Sequence, residues 1–285
     1  MTSPLIERIM SSEAPTAEAE DMAVREAMQE LVLYGLSESG FFARAAFHGG
    51  TCLRIVHGLD RFSEDLDFSL DRPEPDFEWK QHSAMVGRVL EQHGLTASIV
   101  QGDGASALRR FDVRTAGPPP ESLRFRHRKG RILRVRVEVD TNPPFGALTT
   151  QSFMDFPIPH PLICYDLPSG MAGKCHAILC RNHLKGRDFF DFAWYVGRRI
   201  VPNLTLLRSL LDQAGPWRGR GVEPDARWLV EALSARMAGI DWDSARKDVT
   251  PFLGEAQRKA LSIWGGDYFG DRISKLEQGM QESSG

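Results

Sequence analysis

Two short stretches alternate so strictly that they fix the local structure. Residues 65–70 read Asp-Leu-Asp-Phe-Ser-Leu, and residues 131–140 read Arg-Ile-Leu-Arg-Val-Arg-Val-Glu-Val-Asp. Successive strand side chains point to opposite faces, so each stretch has one apolar and one polar face. In the first, Leu66, Phe68 and Leu70 share a face and Asp65, Asp67 and Ser69 share the other. In the second, Leu133, Val135, Val137 and Val139 oppose Arg134, Arg136, Glu138 and Asp140. Half-buried strands of this kind need a sheet covered on one side by helices.

The rest of the chain supplies those helices. Apolar residues recur at helical spacing over 21–36, and 77–93 reads as a second helix. Strands are expected at 41–47, 96–100 and 107–115, with a short helix at 52–56. Proline-rich loops stand at 117–120 and 142–144, because proline removes ladder donors. After about residue 161 strand signals become scarce, and helical patterns cover 168–181, 188–196, 225–237 and 251–264. The expected class is α/β (α+β), a mixed sheet flanked by helices and followed by a helical C-terminal domain. The boundaries expected are a polar N-terminal arm at 1–20, an α/β domain at 21–160 and a helical domain at 161–285.

Composition narrows the partners. Among 285 residues, apolar types make up 42% and charged types 26%, enough for a sizeable core. The net charge of -3 gives no global basic excess, so nucleic-acid binding would need a local patch. The four cysteines, Cys52, Cys164, Cys175 and Cys180, form no Cys-x-x-Cys pair, which points to reduced thiols. Neither a signal-peptide pattern nor an apolar run of membrane-spanning length is visible. A soluble, cytoplasmic protein without membrane contact is expected.

The chemistry gathers between residues 47 and 70. Gly49, Gly50 and Thr51 lie between an expected strand and a helix, where glycine lets backbone N–H groups approach phosphate. Two carboxylates on one strand face, Asp65 and Asp67, repel each other unless a cation lies between them. Hard oxygen donors on a rigid strand suit magnesium. Glu138, on a neighbouring strand, would be a third acid, with Asp140 as its rival. Each feature has a plainer reading: an ordinary Gly-Gly turn, a solvated Asp-x-Asp face, an Arg/Glu ladder on an exposed sheet.

Further along, Lys174 lies among Ala172, Gly173, Ala177 and Ile178, where a partly buried ammonium would need an anion. Asp188 and Asp191 stand three apart at a helix start, either as a functional pair or as a cap favoured by the helix dipole. Arg187 could contact phosphate or pair with an acid. The segment 124–131 concentrates Arg124, Arg126, Arg128, Lys129 and Arg131 around Phe125, either an RNA-binding patch or a solvated hairpin tip.

These residues resemble a known family. Phe47–Leu70 looks like the signature of the AbiEii/AbiGii toxin group of minimal nucleotidyltransferases, the toxin components of type IV toxin–antitoxin systems. Arg134–Val139 is similar to its third-acid strand, and Met171–Val196 to its C-terminal signature of a lysine helix followed by Arg-Asp-x-x-Asp. The resemblance implies a nucleotidyltransferase-like fold and transfer of an NMP from an NTP to an acceptor hydroxyl, with pyrophosphate leaving. It implies RNA, particularly a tRNA 3′ end, as acceptor, and an antitoxin encoded nearby. It places Gly49, Gly50, Thr51, Lys174 and Arg187 on the nucleotide, and Asp65, Asp67 and Glu138 on Mg2+ or Mn2+. Asp188 or Asp191 would orient or deprotonate the acceptor. The chain departs from the wider superfamily in two ways: Thr51 stands where Ser is common, and the gap from Gly50 to Asp65 is longer. A small-molecule nucleotidyltransferase, a non-catalytic nucleotide-binding module and a metal-dependent nuclease are the competing readings.

Overall fold

The computed structural model describes residues 4–12, 14, 16–102, 107–115 and 132–283. Its chain divides into two compact units, one of residues 1–56, 64–143 and 151–164, the other of residues 57–63, 144–150 and 165–285.

The first unit is built on a seven-stranded mixed sheet. Its strands are β1 (Ala45–His48), β2 (Asp65–Leu70), β3 (Ala97–Gln101), β4 (Leu108–Thr115), β5 (Arg134–Asp140), β6 (Thr149–Met154) and β7 (His160–Tyr165), in the order β3-β4-β5-β2-β1-β7-β6. β1 runs antiparallel to β2 and parallel to β7, while β2 runs parallel to β5. β4 is antiparallel to both β3 and β5. Leu66, Phe68, Val135, Val137 and Val139 are buried, as the alternation requires. They join Phe47, Phe111 and the helices α2 (Ala17–Glu38) and α4 (Lys80–Gln92) in one core through Leu31, Leu36, Val86 and Leu90. Each such side chain contributes about 1.5–3 kcal/mol on burial. A short helix, α3 (Gly49–Ile55), links β1 to the segment before β2.

Three expectations change. Residues 1–20, read as a polar arm, contribute α1 (Pro4–Met10) and the start of α2, which Thr16 caps by accepting from Ala19 N. Leu5 and Ile9 are buried in the core, and Arg8 donates to Glu30 through two bonds of 2.8 Å, so apolar and ionic contacts hold the segment. The strand expected at 41–47 is shorter: Phe41–Ala43 form a 3-10 turn before β1. Phe41 is pinned there by aromatic contacts to Phe68 at 5.1 Å and Trp79 at 5.2 Å. β6 and β7 fall where the sequence offered no strand reading. Four of the six residues of β6 are polar, and the ladder partner that orders β7, Phe47 opposite Cys164, is more than a hundred residues away in sequence.

The second unit is helical: α5 (Leu167–Cys180), α6 (Gly186–Gly197), α7 (Leu204–Gln213), α8 (Ala226–Ala238), α9 (Trp242–Val249), α10 (Glu255–Ala260) and α11 (Gly266–Glu282). Asp166, Asn203 and Asp225 cap α5, α7 and α8 by accepting from backbone N–H groups three residues on. These side chains satisfy donors that every helix start leaves open. Phe269 is fully buried and stacks on Trp242 with ring centroids 4.3 Å apart. Among the described residues, no helix is long and apolar enough to cross a membrane, and the four cysteines are free thiols.

Candidate active site

In the first unit, strand pairing brings the expected acids together. Across the parallel β2–β5 pair, Asp67 lies opposite Glu138 and Asp65 opposite Arg136. Glu138 is half-buried, and its carboxyl is pushed above the usual range, first by desolvation and then by the charges of Asp67 and Asp65. Arg136 and Arg110 act the other way, and the Arg136 guanidinium stands 3.7 Å from the Glu138 carboxylate. The two arginines fall short of cancelling burial and the neighbouring acids, so the net shift of Glu138 is upward. Arg136 is shared: it and Arg134 also reach Asp112 on β4 at 3.4 and 2.9 Å. The Arg/Glu ladder anticipated from alternation is therefore present, and the acid cluster lies beside it. Asp140 takes a different job, accepting from Asn142 N at 2.8 Å and closing the turn after β5.

The glycine turn abuts the same acids. His48 lies opposite Asp67 across β1–β2, and the next residue opens α3. Gly49 has φ +81°, and a Cβ placed on it would meet Asp67 Oδ2 at 2.5 Å. Only glycine satisfies both the left-handed backbone and the close approach. Gly50 follows in the first turn of α3. Thr51 is fully buried, and its hydroxyl donates to the backbone oxygen of Asp65. Its side chain thus ties α3 to β2. The donor set of Asp65, Asp67 and Glu138, all hard oxygens on one side of the β2–β5 pair, with the Glu138 proton affinity raised by burial and then by the two aspartates, fits a divalent cation such as magnesium or manganese.

In the second unit, Lys174, Asp188 and Asp191 also meet. The Lys174 ammonium lies 2.8 Å from Asp188 Oδ1 and 2.8 Å from Asp191 Oδ2. Burial alone would lower the Lys174 pKa, but the two carboxylates outweigh it and raise it. Arg61, which the sequence reading did not single out, grips Asp191 through two bonds of 2.6 Å. Burial would raise the Asp191 carboxyl, yet Arg61 and Lys174 hold it below the usual range. Arg181 adds a contact of 3.2 Å to Asp188. The longer gap before Asp65 now has a use. Residues 57–63 belong to the second unit, where Arg61 is 3% exposed and Phe62 N donates to Phe252 O at 2.8 Å. Asp188 does not cap α6; that helix begins at Gly186, whose N–H donates to Asp248 at 2.7 Å. Arg187 lies over the Phe252 ring, 4.1 Å from its centroid. Nearby, Lys185 is lowered by burial and by Arg181 and Arg187, which marks a cationic cluster at the start of α6. Arg124, Arg126, Arg128, Lys129 and Arg131 lie outside the described residues.

The sequence model of the nucleotidyl transferase AbiEii toxin family, a type IV toxin–antitoxin system, matches residues 31–263. No curated protein matches the sequence. Among solved structures, the chain is similar to MenT4, a nucleotidyltransferase toxin of Mycobacterium tuberculosis, at 20% identity and a TM-score of 0.48, covering 97% of this chain and 99% of that one. It is also similar to JHP933 of Helicobacter pylori, at 16% identity and a TM-score of 0.49, covering 92% and 94%.

Proposed function

Because the chain belongs to the AbiEii family of nucleotidyltransferase toxins of type IV toxin–antitoxin systems, we propose that it moves an NMP from an NTP to a hydroxyl of RNA, a tRNA 3′ end being the favoured acceptor, with Asp65, Asp67 and Glu138 holding Mg2+ or Mn2+. The observation that carries this reading is the register that sets Glu138 beside Asp67, with Gly49 against the Asp67 carboxylate. A bound divalent ion supplies the charge that acidifies an attacking hydroxyl and steadies the leaving oxygen. The chain's own residues do the rest. Asp65 and Asp67 present their oxygens from a strand whose far face is locked in the core. Glu138 must give up its proton before it can act as a ligand, and burial first, then the charges of Asp67 and Asp65, makes that proton harder to remove. Gly49 and Gly50 offer backbone N–H groups to phosphate at the start of α3, and Thr51 ties α3 to β2. Lys174 lends its charge to nucleotide phosphate, while Asp188, Asp191 and Arg61 set its position. Arg187 contributes a further cation. Modified tRNA would no longer serve translation, which fits a toxin restrained by an antitoxin, with a cytoplasmic site of action.

The test is direct. Full-length protein is incubated with total RNA, Mg2+ and each α-labelled triphosphate in turn, beside Asp67→Ala. Label should enter RNA with wild type and not with the variant. Label on a small acceptor alone would overturn RNA as substrate. Short RNA fragments released without added nucleotide would overturn transfer in favour of cleavage.

A further inference from the structure

The first unit carries a second feature, apart from the acid face. An open cavity of about 660 Å3 lies where the ends of β3 and β4 meet the start of α4. Its wall includes Trp79, Lys80, Arg109 and Arg110. Trp79 is 3% exposed, yet among the described residues its indole N–H has no hydrogen-bond partner. Arg109 donates from Nη2 to Pro75 O at 2.7 Å, but its Nε and Nη1 are buried without a partner among the described residues. Buried donors are almost always satisfied, and several unsatisfied ones in a single wall call for an acceptor. Lys80 is exposed at the first position of α4, whose opening N–H groups receive no side-chain cap. A thirteen-residue helix directs its positive end there. Asp76 and Glu78 also line the cavity and are exposed, so the acceptor-seeking part of the wall is the arginine and indole side.

Arg110 ties this cavity to the acids. It lines the cavity and also lies opposite Glu138 across β4–β5, so its side chain is on the acid-bearing face. Gly102 makes room for it: a Cβ there would meet Arg110 Cγ at 2.6 Å. Arg109, opposite Val139, is on the other face of β4, so it is Arg110 that brings a group seated in the cavity next to the face carrying Asp67 and Glu138. A single free anion needs no cavity of this size. A strand whose phosphates are spaced along a backbone could place one phosphate here and its terminus toward the acids. We propose that this cavity is a phosphate subsite for the acceptor RNA strand, with Lys80, Arg109 and Arg110 taking the phosphodiester and the Trp79 indole N–H donating to it. The identity of the ligand rests on the reading of RNA as acceptor; the anion site itself does not.

The experiment follows the indole N–H of Trp79 by NMR in the full chain, identified as the signal lost in Trp79→Phe. A short oligoribonucleotide, an NTP and inorganic phosphate are titrated separately, without divalent metal. The oligoribonucleotide should move the Trp79 signal, and Lys80→Gln and Arg109→Gln should weaken that response. Lys80→Gln, at an exposed position, should also flatten the salt dependence of oligoribonucleotide binding by roughly 0.7 in log–log slope, the value for one phosphate contact on a single strand. No movement with any of the three ligands overturns the site. Movement with NTP but not with RNA overturns the acceptor assignment and makes it a donor subsite. If the oligoribonucleotide moves Trp79 while no nucleotide enters RNA, the subsite stands and the proposed function fails. If nucleotide enters RNA while Trp79 stays still, the reverse holds.

Discussion

The protein holds two groups of aspartates under opposite conditions. On the β2–β5 face, Asp65, Asp67 and Glu138 share one side of the sheet, and burial, then the two aspartates, raises the Glu138 carboxyl. In the helical unit, Asp191 is fully buried but clamped by Arg61 and Lys174, and its carboxyl is lowered. Acid–acid crowding is tolerated where a cation can enter, whereas buried acids survive only with permanent partners. The first group thus has the character of a ligand set. The second is a charge network whose acids the chain itself partners. Sequence alone could not separate them, since both appear as two aspartates a few residues apart.

The largest effect expected concerns chemistry. Asp67→Asn should lower nucleotide transfer by on the order of a thousandfold, the scale of losing one preorganised charge partner at a reacting centre. Its thermal midpoint should hold or rise, because a like-charge contact is removed. An inactive but unfolded variant would break the comparison. Gly49→Ala comes next, since φ +81° and the 2.5 Å approach to Asp67 both oppose a Cβ. Transfer should drop by about a hundredfold as the carboxylate is displaced.

In the other group the dominant effect is on stability. Asp191→Asn leaves Arg61 and Lys174 buried with too little negative charge, and denaturant unfolding should register a loss of about 3–5 kcal/mol. A loss of activity with unchanged stability would instead make Asp191 a member of the reacting set. The pH dependence sharpens this contrast because the signs differ. Asp191 has a lowered folded pKa, so its contribution is present above the ordinary 3.8 and is lost as pH falls through the folded value. Lys174 has a raised one, so its contribution is complete below 10.5 and is lost as pH rises through the folded value. Glu138 runs opposite to Asp191: its folded state takes up a proton first, so stability at that site grows as pH falls through its raised folded value toward the ordinary 4.5. Melting curves across pH for wild type, Glu138→Gln and Asp191→Asn should therefore diverge in opposite directions on the acid side. The smallest effect is local: Asp166→Ala removes the cap on Ser169 N and should cost about 1 kcal/mol without altering transfer.

Much of the acid site was legible because its signal is local. Alternation in 65–70 and 134–140 fixes which side chains share a face, and the structure adds only the register that sets Asp67 beside Glu138. The role of Gly49 was half legible: the turn was evident, but its contact with Asp67 depends on a strand that begins sixteen residues later. Arg61 was not legible. Its partner Asp191 is 130 residues away, and an arginine in a loop has no periodicity to betray burial. β7 was missed for the same reason, since its pairing with β1 is a tertiary decision. Thr51 was read as a phosphate contact, whereas its hydroxyl donates to the backbone oxygen of Asp65.

The most direct measurement counts bound Mn2+ by electron paramagnetic resonance during titration of the full chain, beside Asp67→Asn and Asp188→Asn. Wild type and Asp188→Asn should both bind the ion, and Asp67→Asn should lose it. Retention by Asp67→Asn with loss in Asp188→Asn would contradict the division between a metal-holding face and a self-partnered helical network.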